Sequence, residues 1–409
     1  MLAPDRDRGS GAWPVVSVSG GEDAEFLREL ERRQVQRVEL QRRGRQHGAL
    51  VVLRPEGLQP PKTRPKRLRA LFRERHTAAR PSVLRGVLDP QATRLLDGSC
   101  GAAFLNPGAL SAWLDACLPA GLQRGDSLPH QDPERDLERY AIVEGSSGLE
   151  AASKLWVKTS RLSTHPEDDS VRMRISFGDE GQEDSSRDEP RQARVSHLGR
   201  ALLPAVTEIE ASSEMRGKLE AVLGGGFYFT QHIAYWNAIQ GGALFHHDAF
   251  DEELEGGQRG VLYVQLDGAT AWLALSLEDL AVRIGEFAPW LEDEELAGLR
   301  GELFGDAFSS DDFRRLVNDW RGLRSELALP GCGRLAALVN RGPEFTAFLA
   351  DAGHAAFLEA GDAIYLPNHG LERTAMHSVF HAGSHTGLGL SLALRRTPGE
   401  GVQDRDVGP

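Results

Sequence analysis

Two histidines and an aspartate stand together at His246-His247-Asp248, directly after the apolar run Ala243-Leu244-Phe245. In an extended chain residues two apart share a face, so His246 and Asp248 project to one side and His247 to the other. An imidazole and a carboxylate that converge in this way suit a single divalent cation. With a second imidazole from elsewhere they form the two-histidine, one-carboxylate set that leaves positions open for O₂ and an oxidisable ligand, the arrangement of non-haem Fe(II) oxygenases. The tripeptide alone does not decide the matter, because an isolated H-x-D is more often a surface or hydrogen-bonded feature. The C-terminal part of the chain offers His369, His377, His381 and His385 as candidates for the third ligand. His247, on the opposite strand face, and His232 read as structural.

The composition narrows the ligand types. Three cysteines (Cys100, Cys117, Cys332) at unrelated spacings in 409 residues exclude cysteine-ligated zinc and a disulfide framework, leaving imidazole and carboxylate. A formal net charge of −13 argues against general affinity for nucleic acid. The basic stretch from Arg28 to Arg85 reads as a solvated helix face. No run approaches the roughly 20 apolar residues needed to span a bilayer. The opening Met1-Leu2-Ala3-Pro4-Asp5-Arg6-Asp7 lacks a charged-then-apolar signal pattern. The expected setting is therefore cytoplasmic, with no membrane partner.

The elements that must position these side chains fall into two parts. Residues 1–125 are expected to form an N-terminal α/β appendage, with an amphipathic helix at Glu22–Leu40, a strand at Gly48–Leu53, a Pro-rich break and a helix at Arg67–Arg75. Residues 126–409 form the main domain. A loop at Gly125–Arg135 precedes strands at Ala141–Glu144, Leu155–Thr159 and Val171–Phe177, and the acidic Gly178–Pro190 tract reads as a loop. From Gly226 short β-type runs separated by glycines (Phe227–Thr230, Ile233–Ile239, Gly260–Leu266, Ala271–Leu275) suggest a sandwich or barrel. Helical spacing over about 277–352 marks an insertion, after which strands return at Ala363–Leu366 and Leu388–Leu394.

Several of these segments together resemble the JmjC-like, cupin-like Fe(II)/2-oxoglutarate-dependent oxygenases. Tyr235-Trp236-Asn237 through His246-His247-Asp248, then Gln265-Leu266-Asp267-Gly268 and Trp272, are similar to that family's strand, H-x-D, strand, Q-x-x-G-x-x-x-W progression. Gly361-Asp362-Ala363-Ile364-Tyr365-Leu366-Pro367 resembles its G-D-x-x-Y-x-P turn, and Met376-His377-Ser378-Val379 its distal-histidine segment. The resemblance covers about Gly226 to Arg396. It implies a mainly β fold with added helices (α+β), a double-stranded β-helix at its core. It also implies Fe(II) held by His246, Asp248 and His377, with 2-oxoglutarate as cosubstrate and oxidation by O₂ of an amino-acid, peptide or natural-product substrate. Asp248 accords with hydroxylation, since halogenating relatives lack that carboxylate. The family's cosubstrate lysine is absent from Gly268-Ala269-Thr270-Ala271-Trp272. Arg395 at the end of the last strand is the candidate anchor instead, with Thr270 and Tyr235 as further cosubstrate contacts. Three alternatives stay open: a cosubstrate-independent iron cupin oxygenase, which the missing lysine favours, a Zn or Mn cupin, and a metal-free binding module.

Overall fold

The computed structural model describes residues 51–53, 73–89, 100–144, 155–162, 168–177, 189–223, 226–239, 241–249 and 258–396. The helix expected at Glu22–Leu40 and most of the acidic 178–190 tract lie outside these residues. The fold is β-rich α+β with mostly antiparallel sheets. Ten strands form one sheet in the order β1-β2-β12-β9-β14-β7-β6-β5-β4-β3, and four form a second, β11-β10-β13-β8. The first six strands are β1 (Val51–Leu53), β2 (Ser82–Leu84), β3 (Leu122–Ser127), β4 (Asp136–Glu144), β5 (Leu155–Arg161) and β6 (Val171–Phe177). The remaining eight are β7 (Phe227–Asn237), β8 (Gly242–His246), β9 (Gln258–Asp267), β10 (Ala269–Ser276), β11 (Ala355–Glu359), β12 (Ala363–Pro367), β13 (Ala375–His381) and β14 (Gly387–Arg396).

Two-residue alternation along these strands sorts their side chains into separate cores. On β10, Ala271, Leu273 and Leu275 face outward into an apolar cluster with the helices α5 (Leu277–Phe287), α6 (Ala297–Leu303), α7 (Ser310–Asn318), α8 (Trp320–Leu327) and α9 (Pro343–Asp351). Trp272 and Ala274 face inward and meet Tyr263, Ile364, Leu366 and Ala375 between the sheets. The outer face of the large sheet is covered by α1 (Ala109–Cys117), α2 (Glu189–Leu202), α3 (Ala205–Ala211) and α4 (Ser213–Leu223), whose Val195, Leu198, Val206 and Leu219 pack on Val171, Met173 and Ile175. No helix among the described residues is long and apolar enough to cross a membrane.

Two expectations differ from the structure, and one strand was not foreseen. The runs Phe227–Thr230 and Ile233–Ile239 are one strand, β7, because His232 at the polar break is fully buried beside Glu210, 3.5 Å away. The loop expected at Gly125–Arg135 begins later, since β3 continues to Ser127 and pairs with β4. Ala355–Glu359, between the expected insertion and the strand at Ala363–Leu366, is a further strand whose alternate residues fill both neighbouring cores.

Candidate metal centre

β8 and β13 are adjacent antiparallel strands, and their register places His246 directly opposite His377. Both strands alternate: Phe245 and Met376 face the helices, whereas His246 and His377 face inward. Asp248 follows β8 two residues after His246, and its carbonyl accepts a 2.8 Å hydrogen bond from Asn368 Nδ2 just beyond β12. Among the described residues His246, Asp248 and His377 form a group whose ligand atoms all lie within 4.8 Å of one another. His246 Nε2 is 4.0 Å from Asp248 Oδ1, and His377 Nε2 is 3.8 Å from Asp248 Oδ2.

The protonation states suit a cation. His246 Nδ1 lies 2.7 Å from the Leu244 carbonyl and donates to it, so Nε2 carries the lone pair. Burial pushes the His377 pKa down to about 3, leaving a neutral imidazole at ordinary pH. Two nitrogen lone pairs and a carboxylate oxygen directed at one point repel each other unless a positive charge lies between them, and this donor set fits Fe(II). Cis ligands at about 2.1 Å from a metal stand roughly 3 Å apart. The Asp248 side chain is 42 % exposed and so has room to adjust, while that of His377 is 5 % exposed. Trp272 stacks on the His377 ring at 5.6 Å and 27° and sets its plane.

The other histidines are used elsewhere. His247 turns to the opposite face, its Nε2 3.0 Å from the Ala328 carbonyl. His369 Nε2 donates to the His76 carbonyl at 2.7 Å, His381 Nε2 contacts the His385 carbonyl, and His385 pairs with exposed Asp267 at 3.3 Å.

The three residues proposed for the cosubstrate are not gathered at one point. Thr270 is buried with its hydroxyl engaged on both sides, donating to Gln265 Oε1 at 2.7 Å and accepting from Trp272 Nε1 at 2.8 Å. Tyr235 lies on the inner wall, 6.2 Å from the Tyr263 ring. Burial and the Asp248 charge push its pKa up to about 12, so it remains a hydrogen-bond donor. Arg395 is buried at the far end of β14, opposite Tyr228, where desolvation lowers its pKa to about 10 without neutralising it at pH 7. Thr270 was expected at the site and Gln265 and Trp272 belong to the motif, but the network joining them to Tyr263, and the Asn368 clasp on Asp248, were not read from sequence. The positions were visible, but not the hydrogen bonds across strands that join them.

No protein-family model matches the chain, and no curated protein matches it. Solved structures similar to it include the following two. A 2OG-Fe(II) oxygenase family oxidoreductase from Burkholderia pseudomallei aligns with a TM-score of 0.29 at 7 % identity, covering 85 % of this chain and 96 % of that one. E. coli ycfD aligns with a TM-score of 0.25 at 13 % identity, covering 83 % of this chain and 60 % of that one. Likeness at this level leaves the function to be argued from the site itself.

Proposed function

We propose that this chain is a non-haem Fe(II) oxygenase that uses 2-oxoglutarate and O₂ to hydroxylate an amino-acid, peptide or natural-product substrate. The convergence of His246, Asp248 and His377 carries the reading. We further propose that β7–β14 form a double-stranded β-helix. The supporting observation is that β12-β9-β14-β7 and β11-β10-β13-β8 draw successive strands alternately from the two sheets, save for the adjacent pair β10 and β11.

Fe(II) bound at this site would supply O₂ activation coupled to oxidative decarboxylation of 2-oxoglutarate. The chain's own residues set the conditions. His246 and His377 would hold the metal through ring nitrogens, and Asp248 would offset part of its charge. The Leu244 carbonyl orients His246, a supporting contact of the kind that raises ligand basicity. Ala274, Ile364, Leu366 and Ala375 form a buried apolar cluster with Trp272, the ring that stacks on His377. A cosubstrate-independent oxygenase is the second reading, favoured by the engagement of Thr270 within its own network. The separating experiment is O₂ uptake by the Fe(II)-loaded protein. Uptake that requires 2-oxoglutarate and yields succinate supports the first reading, and full uptake without it supports the second.

A further inference from the structure

We propose that Arg172, on β6 and outside the eight alternating strands, anchors the carboxylate of the 2-oxo acid that lies remote from the metal. The inference rests on the proposed 2-oxoglutarate dependence and names the residue that gives it selectivity for a dicarboxylate. In Val171-Arg172-Met173-Arg174-Ile175 the apolar residues are fully buried against the helices, so Arg172 and Arg174 lie on the inner face. Arg172 is the β-ladder partner of Tyr235, which in turn pairs with Gly389. Glycine is required there, since a Cβ would overlap the Tyr263 ring. From Tyr235 an aromatic wall runs to the metal ligands, with Tyr263 at 6.2 Å, then Trp272 at 4.8 Å, then His377 at 5.6 Å. Burial raises the Tyr235 pKa, the Asp248 charge adds to that rise, and the Arg172 charge opposes it.

A dicarboxylate that meets the metal at one end carries its second charge into this interior, where an unpaired carboxylate is costly. Thr270 and Tyr263 already donate to Gln265. Among the cations of the inner face, Lys158 pairs with Asp136 at 3.0 Å and Arg174 lies 6.0 Å from the Trp156 ring. Arg172 donates through Nε to Ser160 Oγ at 2.9 Å, which orients the planar group and leaves its terminal nitrogens for a two-point carboxylate contact. Arg395 stands opposite Tyr228, seven residues along β7 from Tyr235, or roughly 23 Å at about 3.3 Å per residue.

The test compares binding of 2-oxoglutarate and of 2-oxopentanoate, which lacks the distal carboxylate, to the Fe(II)-loaded protein by calorimetry under nitrogen. The wild type is expected to prefer 2-oxoglutarate. Arg172→Gln should weaken 2-oxoglutarate about 10- to 100-fold, leave 2-oxopentanoate unchanged and retain the iron, with Arg172→Lys recovering part of the preference. Should Arg172→Gln not fold, Arg172→Lys must still lower the preference, because it cannot make the planar contact. An unchanged preference in these variants, its loss in Arg395→Gln instead, or equal wild-type affinity for both acids overturns the assignment of Arg172. A wild type that holds iron but binds neither acid overturns the 2-oxoglutarate reading as well.

Discussion

Two histidine clusters occupy neighbouring segments of this molecule, and they are built to opposite plans. In the first, His76, Tyr365 and His369 satisfy one another. The Tyr365 hydroxyl lies 3.0 Å from His76 Nδ1, His369 donates to the His76 carbonyl, and the two imidazoles meet edge to face at 4.4 Å. In the second, His246 and His377 lie 4.2 Å apart ring to ring, with their Nε2 atoms turned toward the Asp248 carboxylate at 4.0 and 3.8 Å. The first cluster is complete as it stands, and the second is the group proposed above to hold a cation. Histidine density therefore does not identify the metal site. What identifies it is where the ring nitrogens point.

The largest effect expected of structural histidines is on pH dependence. Burial holds His354 and His369 near pKa 4, against an ordinary 6.5, and the Arg283 charge adds to the effect at His354. Because the folded-state values are depressed, the unfolded chain binds protons between pH 6.5 and 4 that the folded chain refuses. Their contribution to stability is present above pH 6.5 and lost as the pH falls toward 4, by at most about 3 kcal/mol each. Denaturant midpoints of the metal-free protein should fall over that range, and a flat profile would sink this account of both residues. Smaller effects sharpen the contrast between the clusters. His369→Asn should cost about 1–3 kcal/mol through its lost hydrogen bond while iron content stays the same. His385→Ala, which breaks only an exposed pair with Asp267, should change stability by no more than about 0.5 kcal/mol. Iron loss in either variant would erase the distinction drawn here.

Much of the β framework was legible in sequence, because alternation is a local signal. Val171–Phe177 is a strand from end to end, and Ala363–Leu366 falls within β12. The placement of His246 and Asp248 on one face follows from the same period of two. The third residue of the group was not legible from spacing, since the pairing of His377 with His246 is a cross-strand register between segments over a hundred residues apart. Ala355–Glu359 escaped notice because its short apolar run shows no clean alternation, both of its faces being buried. Arg172 escaped for a different reason. The pattern V-R-M-R-I shows that two arginines share a face, but only the ladder shows that Tyr235 and the wall leading to His377 lie beside one of them.

The most direct test of the central claim is iron stoichiometry in the wild type and in single variants of the two clusters. After anaerobic loading and desalting, the wild type should retain about one Fe(II) per chain. His246→Ala, Asp248→Ala and His377→Ala should each fall close to zero while remaining folded by circular dichroism, and His369→Asn should match the wild type. Full iron retention by His377→Ala would contradict the account, because the nitrogen that faces Asp248 would then not be a ligand.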